Sequence, residues 1–97
     1  MTHFIVIREQ GTAWNPSRSI VDQGQWTEHA SFMNSLLDQG FVLLGGPVWG
    51  ESMFKARLIV KAENEAEIHN RLAEDPWDHA RLLQTLSIEP WEVILSK

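Results

Sequence analysis

Four histidines, at positions 3, 29, 69 and 79, are the side chains best suited to exchanging protons near neutral pH. The 97 residues include no cysteine, which excludes thiolate nucleophiles, disulfides and cysteine-bound zinc. His29 falls in the first turn or so of an expected helix. An imidazole there serves as a general acid or base if a partner fixes its tautomer. It serves equally well as a capping or surface residue, and spacing leaves both readings open. Asp75 precedes Pro76, so its backbone is held extended. That either presents a carboxylate in a fixed place or simply stops a helix. Ser31 is two residues from His29, and such pairs do not face each other on a helix. No hydrolytic triad is therefore complete. His29, Asp75 and His79 have the side-chain types of a facial metal triad. Their spacing matches no metal motif, so no metal is expected.

Other residues bear on ligand binding. The chain has five tryptophans and no tyrosine. Trp14, Trp49 and Trp77 either line a pocket for a flat or apolar ligand or anchor loops on the core. Arg8 and Arg18 suit a carboxylate or phenolate. Gly45-Gly46-Pro47 lacks the spacing of a phosphate loop, and its expected role is close backbone approach to a site wall. Trp14, Arg8, Gly46, Trp77 and His79 are the candidate substrate-binding residues.

Composition narrows the function classes. Thirteen acidic against eight basic residues give a net charge of -5, and the basic residues are scattered singly. Nucleic-acid binding needs clustered Lys and Arg, so it is not expected. An apolar share of 43% with 22% charged residues fits a globular chain. The length fits one domain over 1–97. No apolar run approaches the roughly 20 residues of a membrane span. The first run, Phe4–Ile7, is too short for a signal-peptide core, so a cytoplasmic location is expected.

Elements to position these residues follow from periodicity. Phe4–Ile7 reads as a strand apolar on both phases and hence buried on both sides. Residues 9–24 carry Gly11, Pro16 and Gly24 without a clear period, a length typical of a lid or binding loop. Trp26, Ala30, Met33 and Leu37 make the stripe of a helix over 26–39, with Gly40 at its C-terminal cap. Phe41–Leu44 is a second strand, ended by Gly45-Gly46-Pro47, with a turn over 48–54. Lys55–Ala62 is a third, with Ala56, Leu58 and Val60 on one face. Asn64 and Glu67 open a second helix running to about Glu74, with Ile68 and Leu72 buried. Trp77–Leu83 reads as a short helix and Trp91–Leu95 as the last strand, starting near Pro90. The order strand, helix, strand, strand, helix, strand is the α+β, ferredoxin-like split βαβ arrangement. Both helices then cover one sheet face. The other face is apolar and bare, which predicts a homodimer packed sheet against sheet.

The motifs Glu28-His29-Ala30-Ser31-Phe32-Met33, Gly40 to Pro47 (GFVLLGGP) and Asp75-Pro76-Trp77 resemble the YciI-like (YCII-related) family. The opening strand and the closing Pro90-Trp91-Glu92 fit as well, so the resemblance covers nearly the whole chain. It implies a ferredoxin-like protomer that dimerises into an α/β barrel. It also implies a site built on one His and one Asp, which match His29 and Asp75. In that role Asp75 receives an imidazole N–H and fixes the tautomer. One related branch removes chloride from a chlorinated hydroxyquinol, so the scaffold hosts lyase-type chemistry.

The function expected from these readings is a small cofactor-free enzyme. It would use His29 and Asp75 for acid–base elimination, isomerisation or hydrolysis of a small organic molecule, aromatic ones included. One rival is a non-catalytic ligand-binding or regulatory barrel. A second is a haem- or oxygen-handling barrel enzyme.

Overall fold

The computed structural model describes residues 1–50 and 53–97. Glu51 and Ser52, part of the expected turn over 48–54, lie outside the described residues.

Four antiparallel strands form one sheet: β1 (Thr2–Gln10), β2 (Val42–Val48), β3 (Lys55–Ala62) and β4 (Leu83–Trp91), in the order β2-β3-β1-β4. The helices are α1 (Trp26–Asp38), α2 (Glu65–Leu72) and the four-residue α3 (Pro76–His79), with a 3-10 turn over Ile20–Asp22. This is the ferredoxin-like α+β arrangement. Alternation sorts the central strands. Phe4 and Val6 of β1 lie opposite Val60 and Leu58 of β3, and all four are buried with Ile68, Leu72 and Leu36 of the helices. A second buried cluster, Trp77, Leu82 and Leu83, draws in Trp14, Trp26 and Phe54.

Asn64 caps α2 by accepting the Glu67 N–H at 2.9 Å, while the Glu67 carboxylate accepts the Glu63 N–H at 2.8 Å. α1 starts differently. Its cap residue Gln25 has φ 60 and offers no side-chain bond.

Several elements depart from expectation. β2 runs on through Gly45-Gly46-Pro47 to Val48 instead of ending at Leu44. It is an edge strand, where a proline without an N–H is tolerated. The last strand is Leu83–Trp91, not Trp91–Leu95, and Pro90 lies inside it opposite Phe4. β4 is the other edge, so the same tolerance applies. A register shift between Ile7 and Arg8 blurs its alternation, which hid it from a period-two reading. β1 is buried on one face only. Ile5 and Ile7 are half-buried, and Leu44, Leu86 and Trp91 are exposed.

The connection expected to act as a lid is knitted to itself. Gln23 is buried, and its Nε2 donates to the carbonyls of Asn15 and Arg18 at 2.7 and 3.1 Å. Its Oε1 accepts the Asn15 N–H at 3.0 Å. One side chain thus satisfies backbone groups across the loop, which is a packed plug and not an open flap.

Candidate functional site

His29 is the fourth residue of α1 and follows the tight turn at Gly24-Gln25. Asp75 is the N-cap of α3, extended at φ -62, ψ 128 as Pro76 demands. Two helices lying side by side do not by themselves bring these residues together. α3 does so: it turns straight off the end of α2 and docks on the first turn of α1. Trp77 anchors the junction by donating its Nε1–H to the Gly24 carbonyl at 2.7 Å. His29 Nδ1 then lies 2.8 Å from Asp75 Oδ2 and 3.0 Å from Oδ1.

The carboxylate is fully buried and also accepts the Trp77 N–H at 2.9 Å. An ionised carboxylate only accepts, so Nδ1 carries the proton in this pair. The neutral ring then keeps its lone pair on Nε2, which makes no hydrogen bond among the described residues. The ring plane is fixed too, because the imidazole lies flat on the Trp77 indole with centroids 3.9 Å apart and planes 6° apart.

His29 opens onto a cavity of about 360 Å³ between α1 and the β2–β3 side of the sheet. The stripe Trp26, Ala30, Met33 and Leu37, expected to face the core, forms its roof. Gly45, Gly46, Pro47, Ala56 and Leu58 form the opposite wall. Gly45 is there for space: a Cβ would stand 2.5 Å from Leu58 Cδ2. Gly46 pairs with Arg57, on the other face of the strand, and a Cβ there would meet nothing within 4 Å, so it borders the cavity through its backbone.

The other candidates divide. Arg8 and Trp77 line the cavity. Trp14 does not line it. It stacks on Phe54 at 4.5 Å and meets Trp77 edge-on at 5.7 Å, so it buttresses two residues that do. His79 is exposed and lines no part of the cavity. Trp77 turns inward on the single turn of α3, and the residue two further along points away. Trp49, at 77% exposure, and Arg18 are likewise on the surface. Among the described residues no cluster of three or more His, Asp or Glu could hold a metal ion.

Periodicity missed a second polar cluster. Arg8 continues the buried row of Phe4 and Val6 and is itself 2% exposed. Its guanidinium donates to the Asp78 carboxylate and to Thr85 Oγ1. Burial pushes the Asp78 carboxyl above the usual range, against the attraction of Arg8, with the Asp75 charge adding to the rise and His29 opposing it. A basic residue in phase with core positions was the available signal.

No family model matches the chain, and no curated protein matches it. Among solved structures it is similar to a 5-chloro-2-hydroxyhydroquinone dehydrochlorinase of Burkholderia phenoliruptrix AC1100, solved in complex with 2,5-dihydroxybenzoquinone. The two share 23% identity and superpose with a TM-score of 0.66 over 92% of this chain and 93% of the other, a likeness of fold.

Proposed function

We propose that the chain is a YciI-like, cofactor-free enzyme that moves protons on a small organic molecule, with His29 as the base and Asp75 as its positioning partner. The observation that carries this reading is the Nδ1 contact to a buried carboxylate, on a ring that opens onto a cavity. Nε2 takes a proton from the substrate, and the imidazolium so formed is stabilised by Asp75 and by the face of Trp77. The same proton is then returned to another atom or to a leaving group. That sequence serves an isomerisation or an elimination, and with water in the cavity a hydrolysis. The dehydrochlorinase supports the reading by showing that this fold hosts a small-molecule reaction.

The working unit in this reading is a homodimer joined through the helix-free sheet face. Leu44 and Trp91 are exposed there beside the half-buried Ile5, Ile7 and Ile59, an apolar patch that a second copy would bury.

The test is a panel of small hydroxylated aromatic and keto compounds incubated in deuterated water and followed by NMR for deuterium uptake or group loss. His29→Ala and Asp75→Asn should each slow any turnover about 10²–10⁴-fold. The double variant should lose little more than the worse single, because the two act as one unit. Normal turnover by either single variant would remove that residue's role.

A further inference from the structure

The cavity has a cationic residue that the proton-transfer reading leaves without a task. Arg8 lines it beside Trp77 and Leu83, while His29, Met33 and Leu58 line it elsewhere. Arg8 is 2% exposed and sits at a position where alternation along β1 calls for an apolar side chain. Arginine is rarely buried unless it is paired. The pairing here is partial: a guanidinium has five N–H donors, and those given to Asp78 and Thr85 leave the rest without partners among the described residues. Asp78 and Thr85 border a separate cavity that Arg8 does not line, and they are absent from the lining of the first.

We propose that Arg8 makes this cavity a receptor for the negative group of a small, otherwise apolar organic acid. The carboxylate or oxyanion accepts the spare guanidinium N–H donors, and the apolar body lies against Trp77, Met33 and Leu58. Asp78 and Thr85 hold the guanidinium in place and so act as positioning residues. A cavity of about 360 Å³ takes a ligand of roughly one substituted ring. The inference deepens the proton-transfer reading by naming its substrate class, and it rests on that reading only for the part played by His29.

Benzoate and benzamide have the same shape and differ in charge, so their binding to the intact protein isolates the role of Arg8. Tryptophan fluorescence can follow both, since Trp26 and Trp77 line the cavity. The wild type should bind benzoate at least about tenfold more tightly, the worth of one charge-assisted hydrogen bond. Arg8→Met alone leaves Asp78 buried without its counter-ion, so the variant to use is Arg8→Met with Asp78→Leu. It should bind the two probes equally. Arg8→Lys, which keeps the charge and removes the planar fork, should lose part of the preference. Equal binding of the two probes by wild type, or a preference that survives in the double variant, would overturn the proposal. A preference that vanishes in His29→Asn and survives without Arg8 would overturn it too, while leaving the dyad reading intact. Conversely, if Arg8 sets the preference and His29→Ala turns over normally, the dyad reading fails and the anion site stands.

Discussion

The His29 imidazole lies face to face on the Trp77 indole, 3.9 Å between centroids and 6° from parallel. Trp77 is itself fixed through Nε1 to the Gly24 carbonyl, one turn before His29. The ring that carries the proposed chemistry is thus held by a residue anchored to the start of its own helix. Trp77→Phe keeps a stacking surface but leaves the Gly24 carbonyl without its donor. Denaturant melts should show a loss of about 1–3 kcal/mol. Any turnover should fall through kcat, since the ring loses its fixed plane.

Asp78 gives a pH signature of stability. Burial raises its folded-state value, so in the window just above the ordinary 3.8 the unfolded chain releases this proton first. Its contribution to stability is complete below that window and is lost as pH rises through it. Melts across that window should show this slope, and Asp78→Asn should flatten it. Asp78→Leu removes the acceptor from a buried guanidinium and should cost about 3–5 kcal/mol at neutral pH.

Arg81 sits at φ 59 just past α3, with the Leu82 N–H closing back to the Trp77 carbonyl at 2.9 Å. Glycine is the usual occupant of that left-handed position. The conformation costs a non-glycine residue about 1–2 kcal/mol, partly offset by the entropy that glycine loses on folding. Arg81→Gly should therefore stabilise the fold by about 0.5–1 kcal/mol in the same melts.

The Gln23 side chain predicts slow amide exchange where a lid would exchange fast. Asn15, whose N–H it accepts, and Arg18, whose N–H bonds to the Asn15 carbonyl, should be protected. Gln23→Ala should release both amides by hydrogen-exchange mass spectrometry. An unprotected loop in the wild type would contradict the packed-plug description.

How much of this was legible in the sequence differs by element. Lys55–Ala62 could be read because its alternation is clean and its faces differ. Ile68 and Leu72 could be read because a helix stripe and a cap agree. β4 could not, because a register shift and an internal proline erase the period that defines a strand. The types of His29 and Asp75 were legible, and the resemblance paired them. Their contact depends on α3 docking on α1 through an indole and one backbone carbonyl, a tertiary match that no local pattern encodes. Arg8 was legible as a cation but not as a buried one, since its partners Asp78 and Thr85 are 70 and 77 positions away.

Imidazole nitrogen NMR of His29 at neutral to mildly alkaline pH tests the central claim directly and needs no substrate. Asp75 accepting from Nδ1 predicts that the neutral form of the ring keeps its proton on Nδ1 and leaves Nε2 bare. Asp75→Asn, whose amide can donate to Nδ1, should shift the ring toward the other tautomer. A wild-type ring with its proton on Nε2, or one averaging freely between the two forms, would contradict the account.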